Sequence, residues 1–337
     1  MLDIVSNSKK QNFRYALIVK TLVTGGCGFI GSHLVDHLLI KGEQVIVLDN
    51  SYGSNLNHLR KSHLAKSIEI VDGSILNKRL VKKLMGKVSN CYHLAASLGV
   101  EKINNQPLIA LEVNLQGTEN VLYQASKFGV RTLLASSSEI YGKNSVMPLS
   151  ESSDRVLGSP EVARWSYSEA KALDELFAFE LCKHESFPVT IARFFNTVGP
   201  RQSGVYGMVL PRFVRSAIGN EPLTVYGDGT QTRSFCSVTD VVVAIDLLMA
   251  SNKSIGHAFN IGSPNEISIV DLAKKVINLT KSDSKILYKK HFEVFGDNFE
   301  EPQRRVPDIS KISKIVGWQP KKSLDEVILE VANSMVN

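Results

Sequence analysis

The segment that most restricts how this chain can fold is TGGCGFIG, Thr24 to Gly31, set between an apolar run and a stretch of helical spacing. The run YALIVKTLVT, Tyr15 to Thr24, has strand character, and Ser32 to Ile40 repeats apolar residues at helical intervals. Strand, tight turn and helix in that order bring helix-end amides to the head of a strand, where an anion is welcome. Gly25, Gly28 and Gly31 recur at three-residue spacing. In a dinucleotide turn the first permits the bend, the second lets a pyrophosphate approach the backbone, and the third lets helix close on sheet.

Further short apolar runs come at helix-length intervals: Gln44 to Asp49, Ser67 to Val71, Cys91 to Ala95, Arg131 to Ser136 and Val189 to Phe194. Alternating βα units with right-handed crossovers predict an α/β protein, a Rossmann doubly wound parallel sheet with helices on both faces. After Pro200 the chain becomes richer in Gly and polar turns such as Tyr226 to Thr232, and Val238 to Met249 and His257 to Gly262 then return to helix and strand. The reading therefore divides the chain into a cofactor-binding domain, 16–195 plus about 236–262, and a smaller discontinuous substrate-binding domain, about 196–235 plus 263–337. Residues 1–15 read as a loose leader.

Composition excludes several classes. With 337 residues, 43% hydrophobic and 21% charged, the chain can bury a sizeable core and is not disordered. No run approaches the roughly 18 to 20 consecutive apolar residues of a membrane span, and Met1 to Tyr15 lacks the apolar stretch of a secretory signal, so a cytoplasmic protein with no membrane partner is expected. Cys27, Cys91, Cys182 and Cys236 lack metal-type spacing and read as reduced, buried thiols, with no metal site. The net charge of +6 is dispersed without a basic block, which fits an anionic small molecule and speaks against nucleic acid.

Asp49 closes the second strand eighteen residues after Gly31, where a carboxylate can accept hydrogen bonds from an adenosine ribose. It would repel a 2′-phosphate, so NAD is favoured over NADP. Tyr167 and Lys171 form Y-x-x-x-K in RWSYSEAKALDE, a segment of helical spacing that puts both side chains on one face. A phenol is a poor base at neutral pH, but a neighbouring ammonium and a positive nicotinamide favour its phenolate. Tyr167 could then take a proton from a sugar hydroxyl as hydride leaves the same carbon.

Taken with HLAAS at His93 to Ser97, Asn114 before Gly117, SSSEIYG at Ser136 to Gly142, RFFNTVGPRQ, LTVYGDGTQTRSF and RRVPDISK, these motifs make the chain resemble the extended short-chain dehydrogenase/reductase family, in its nucleotide-sugar epimerase, dehydratase and decarboxylase branch. The resemblance runs from about Lys20 to the C-terminus. It implies an NAD site formed by Gly25, Gly28, Phe29, Ile30, Gly31, Asp49, Ile75 and Ala95 together with Tyr167 and Lys171. It matches Ser137 to the hydroxyl that hydrogen-bonds the reacting group, Tyr167 to the base and Lys171 to its partner. For a UDP-sugar substrate it implies Ser97, Asn196, Arg233 and Arg305, the last as a phosphate-side arginine, and it implies a homodimer. One departure is Ser74 in VDGSI, where relatives usually carry an Asp thought to meet the adenine.

Members of such a family all begin by oxidising C4 of the sugar. The strand-end triplet Ser137-Ser138-Glu139 distinguishes the later steps. Dehydratases carry Thr-Asp-Glu there, and Ser138 cannot replace the Asp as proton donor. Ordinary 4-epimerases usually lack the third-position Glu, whereas Ser-Ser-Glu looks like the Thr-Ser-Glu of UDP-glucuronate decarboxylases; a small residue after Arg233 leans the same way. The expectation is a UDP-glucuronate decarboxylase with Glu139 in its catalytic set, the alternative a UDP-sugar 4-epimerase. A catalytically dead NAD-binding regulator is the non-enzyme alternative, opposed by the intact Ser137, Tyr167 and Lys171.

Overall fold

Seven apolar runs pair into a single parallel sheet of order β7-β6-β5-β4-β1-β2-β3. The strands are β1 (Lys20–Thr24), β2 (Gln44–Asp49), β3 (Ile68–Asp72), β4 (Asn90–His93), β5 (Arg131–Ser137), β6 (Val189–Phe194) and β7 (Ala258–Ile261). The computed structural model describes residues 20–50, 57–60, 67–97, 107–162, 165–204, 208–290 and 302–336, so the leader read at 1–15 lies outside the described residues. Parallel strands buried on both faces read as continuous rather than alternating hydrophobicity, which is the pattern of QVIVLD and VTIARF.

Each face of the sheet carries its own core. On one side α1 (Phe29–Ile40) packs Leu34, Val35 and Leu38 beside Val241, Ile245 and Leu248 of a later helix, Val238–Ala250. On the other, the helices α2 (Lys78–Met85), α3 (Pro107–Glu112), α4 (Thr118–Lys127) and α5 (Trp165–Glu185) come in order, and α2, α4 and α5 contribute Val81, Leu84, Val121, Leu122 and Ala178 to the second core. A third core gathers Phe213, Val214, Leu223, Val225, Leu272, Val276 and Ile328 from helices and short strands beyond Thr197.

The last part of the chain departs from the boundaries read in the sequence. Ile312 and Trp318, assigned to the substrate region, pack into the core shared by α1 and Val238–Ala250. Trp318 Nε1 donates to the Asp240 carbonyl at 3.0 Å, and the Lys321 and Lys322 amides donate to the Asp240 carboxylate. Of the four free cysteines, Cys27, Cys91 and Cys236 are buried, whereas Cys182 is half-buried.

Strand order reverses between β1 and β4, the switch point where ligands of open α/β sheets bind. The glycine turn sits there. Gly25 adopts φ +70°, and a Cβ on it would lie 2.8 Å from the Ala95 backbone. A Cβ on Gly31 would come 2.1 Å from the Gly25 carbonyl oxygen, so α1 can start at this height above the sheet only with glycine there. Gly31→Ala is therefore expected to lower stability by about 1–3 kcal/mol through overpacking against backbone that cannot move aside. Urea unfolding of the variant beside wild type measures this, and equal midpoints would refute it.

Candidate active site

Helix α5 reads WSYSEAKALDELFAFELCKHE, with good formers such as Ala, Leu, Glu and Lys through much of its length, yet its buried stripe carries charge as well as apolar residues. Ser168, Lys171, Asp174, Glu175 and Ala178 face inward. Three buried charges on one face require partners, because an isolated ion in the interior is far costlier than a paired one. Glu175 meets the Arg193 guanidinium at 2.7–3.2 Å and accepts from Ser136 Oγ at 2.5 Å. Lys171 Nζ donates to Asp174 Oδ2 at 3.1 Å, with both side chains 3% exposed.

These anchors place Tyr167, one helical turn before Lys171, at the end of β5. Ser137 hydrogen-bonds the Tyr167 hydroxyl and also accepts from the Glu139 amide at 3.2 Å. Ser168 Oγ donates to the Glu139 carbonyl, clamping α5 to the same turn. Burial, then the negative charges of Glu139 and Asp174, push the Tyr167 phenol well above its ordinary range, and the Ser137 hydrogen bond opposes them. Positive charge arriving beside the ring is what would bring the phenolate within reach.

Glu139 is gripped from far along the chain. Arg305 donates through Nη1 to Oε1 and through Nη2 to Oε2, a two-pronged pair with Arg305 5% and Glu139 29% exposed. Arg305, read in the sequence as a phosphate-side arginine, pairs here with the carboxylate next to Tyr167. Its Nε–H is shielded from solvent and has no hydrogen-bond partner among the described residues. Asn196 and Arg233 lie close by: Asn196 Nδ2 donates to the Ser234 carbonyl at 3.0 Å, Arg233 Nη1 to the Thr232 and Gln303 carbonyls, and Ser234 Oγ to the Arg305 carbonyl.

At the switch point the residues fit a dinucleotide. Gly28 caps α1 with no side-chain hydrogen bond, leaving first-turn amides for an anion, and the place of its missing Cβ meets only the Gly25 oxygen, at 3.2 Å. Asp49 stands at the end of β2, where its Oδ2 accepts from the Cys27 amide at 2.9 Å, so it shapes the turn. Phe29 and Ile30 are half-buried at the start of α1, and Ala95 lies under Gly25. Ile75 is buried against Gly117, a packing role. Ser74 turns its hydroxyl to the Leu76 amide of its own loop. Ser97, 5% exposed, is fixed by a reciprocal pair of bonds with Asn114, and its hydroxyl has no partner among the described residues.

One assembly was not read from the sequence. His93 Nδ1 lies 2.7 Å from Thr24 Oγ1 and its Nε2 3.1 Å from Thr118 Oγ1, while Thr118 hydrogen-bonds Asp174. The histidine is buried, and desolvation with the nearby Lys171 charge pushes it down to about 3.

Residues 22–331 match the family profile described as GDP-mannose 4,6 dehydratase. The chain belongs to this family of extended short-chain dehydrogenase/reductases. Among relatives of this dehydratase-like family, it is 39% identical to a UDP-N-acetyl-alpha-D-glucosaminuronate decarboxylase of Bacillus cytotoxicus, covering 92% of this chain and 96% of that one. UDP-glucuronic acid decarboxylase 1 of Xenopus tropicalis is 37% identical over 91% of this chain and 70% of its own. Among solved structures, UDP-glucose 4-epimerase of Thermotoga maritima with UDP-glucose superposes with TM-score 0.85 at 27% identity, over 94% of this chain and 99% of that one. The dTDP-glucose 4,6-dehydratase DesIV of Streptomyces venezuelae, with NAD bound, also gives 0.85 at 27% identity, over 94% and 97%. No helix among the described residues is long and apolar enough to cross a membrane.

The buried histidine makes stability depend on pH. A folded-state value near 3 lies below the unfolded value of 6.5, so the contribution is fully present above about pH 6.5 and is lost as pH falls toward 3. Between pH 7 and 5 His93 should cost about 2 kcal/mol. Urea unfolding at both pH values checks this: His93→Asn should remove about that much of the loss, and an identical pH dependence in the variant would contradict it.

Proposed function

We propose that this chain is an NAD-dependent nucleotide-sugar decarboxylase acting on UDP-glucuronate or a close UDP-uronate through a 4-keto intermediate. The observation that carries the reading is the Glu139–Arg305 pair set beside Ser137 and Tyr167, with the buried hydroxyl of Ser138 where a dehydratase needs an acid. Bound NAD supplies the acceptor for the C4 hydride and later its return.

The protein's own residues account for the rest. The amides opening α1 receive the pyrophosphate, and Asp49 suits an unphosphorylated ribose. Ser137 Oγ orients the C4 hydroxyl, and Tyr167 takes its proton as C4 is oxidised. The C6 carboxylate is then β to a ketone. The C5–C6 bond breaks, carbon dioxide departs, and the electron pair passes to an enolate across C5, C4 and O4. Arg305, held by Glu139, offers its free Nε–H and its positive charge to that developing anion. A proton is added at C5, Glu139 being the carboxylate placed to manage it, and Tyr167 returns its proton to O4 as hydride comes back to C4. Asn196 and Arg233 hold the sugar diphosphate, and Ser97 the sugar.

Two further features belong to this reading. Leu108, Ile109, Tyr123, Leu173 and Leu176, each at least 41% exposed, lie on α3, α4 and α5, and this apolar face fits the interface of a homodimer. Leu173→Glu with Leu176→Glu should then shift the protein to monomer in sedimentation, and an unchanged mass would place the interface elsewhere. Free thiols suit the reducing cytoplasm.

A 4-epimerase is the second reading, since the chain shares its fold with the UDP-glucose 4-epimerase of Thermotoga maritima. Incubation with UDP-glucuronate and UDP-N-acetylglucosaminuronate, then mass spectrometry, separates the two, since only decarboxylation removes carbon dioxide. Tyr167→Phe should lower turnover by at least ~10²-fold, and Glu139→Gln should still reduce bound NAD yet stall there, with NADH accumulating by absorbance. Product of unchanged mass from wild type would replace this reading with the epimerase.

A further inference from the structure

Lys171 is 2% exposed, Asp174 4%, His93 1%, and Thr24 and Thr118 fully buried. These five side chains come from β1, β4, α4 and α5, and each touches the next. Lys171 Nζ meets Asp174 at 3.1 Å, Thr118 bonds Asp174, His93 bridges Thr118 at 3.1 Å and Thr24 at 2.7 Å, and Thr24 Oγ1 accepts from the Ala95 amide at 3.3 Å. Ala95 is the residue on which the Gly25 backbone rests. A continuous buried polar chain thus runs from the lysine beside the reacting tyrosine to the turn that would hold the pyrophosphate.

We propose that Asp174 is a positioning residue for the reaction: its buried carboxylate holds the Lys171 ammonium beside Tyr167 and, through Thr118 and His93, ties it to the strand end beneath the glycine turn. A lysine side chain has four rotatable carbons, and a buried carboxylate one helical turn away limits where its charge can sit. The carboxylate has a second consequence. It adds negative charge near the phenol, so it sets how readily Tyr167 gives up its proton. That opposition is part of what holds Tyr167 high, alongside burial and Glu139.

The other groups facing Tyr167 are Ser137 and Glu139 at the end of β5 and Arg305, paired to Glu139, from the C-terminal segment; His93 on β4 lies near Lys171. None of them is altered by substitution at position 174. The inference rests on the assignment of Tyr167 as base and Lys171 as its partner.

The test uses NAD-loaded enzyme. Ionisation of Tyr167 is tracked by phenolate absorbance, as the difference between each protein and its Tyr167→Phe counterpart, alongside the pH profile of kcat. Asp174→Asn keeps shape and removes charge. Loss of the neighbouring negative charge eases release of the Tyr167 proton, so phenolate absorbance and the rising limb of kcat both move to lower pH. At the optimum kcat falls about 10- to 100-fold as the ammonium loses its seat, with KM changed less. Thr118→Val, which leaves the ion pair but removes one donor from the carboxylate, leaves that negative charge less offset and so moves both curves by less and the opposite way, to higher pH; it stands in if the Asn variant does not fold. Asp174→Asn curves unmoved or moved to higher pH overturn the proposal, as do Thr118→Val curves unmoved or moved to lower pH, or a fall in kcat with no displacement, which marks a merely structural role. If Tyr167→Phe itself retains turnover, the assignment beneath the proposal has failed; if Tyr167→Phe is inactive while Asp174→Asn behaves as wild type, only the proposal has.

Discussion

Everything functional in this molecule depends on how closely α1 approaches the sheet. Gly31 has no room for a side chain because its α-carbon lies against the Gly25 carbonyl, and Gly25 lies against Ala95 at the end of β4. Those two contacts close the switch point between β1 and β4, and they orient the first-turn amides of α1 over it. Asp49 reinforces the geometry by accepting from the Cys27 amide, so the acid proposed to meet the ribose is also built into the turn. Cofactor recognition and backbone packing are one constraint here, which is why the same few residues serve both.

The reacting side of the site obeys a different rule. Helix α5 buries Lys171, Asp174 and Glu175 where an ordinary surface helix would bury leucines, and the arrangement is tolerable because every one of these charges has a partner at hydrogen-bond distance. Arg193 shares itself between Glu175 and the Tyr141 hydroxyl, and Tyr141 in turn donates to Asn260 on β7. The network leaves α5 little freedom to slide along the sheet. Tyr167 is therefore placed by charges beneath it rather than by apolar packing around it.

The fold was legible from sequence to the extent that burial on both faces imposes a pattern. QVIVLD and VTIARF stand out as strands at their observed bounds, Gln44–Asp49 and Val189–Phe194, because a covered parallel strand must be apolar along its length. Tyr167 and Lys171 were legible because a helix turns fixed spacing into a shared face. What local pattern cannot express is partnership between distant segments. Asp174 and Glu175 are adjacent acids in the sequence, yet one answers a lysine on its own helix and the other an arginine on β6. Thr24, His93 and Thr118 meet only because β1 and β4 are neighbours and α4 crosses behind them. The segment around Ile312 and Trp318 was placed with the wrong core for the same reason, since its apolar residues suit either.

Arg305 shows how the choice of reaction can be separated from the machinery that all such enzymes share. The proposed oxidising set, Ser137, Tyr167 and Lys171, comes from β5 and α5. The guanidinium that meets Glu139 comes instead from 166 residues further on, carried by a segment that also pairs Leu149 with Pro307 and bonds the Thr232 amide through Gln303. That segment touches the sugar-side strand Thr232–Ser234 on one flank and the end of β5 on the other. On the proposed mechanism, a change in how it lies would leave the β5 and α5 set in place and alter the charge that meets Glu139. Among enzymes with one fold and one first step, the C-terminal segment is thus where a decarboxylase and an epimerase can diverge without disturbing the turn or the tyrosine.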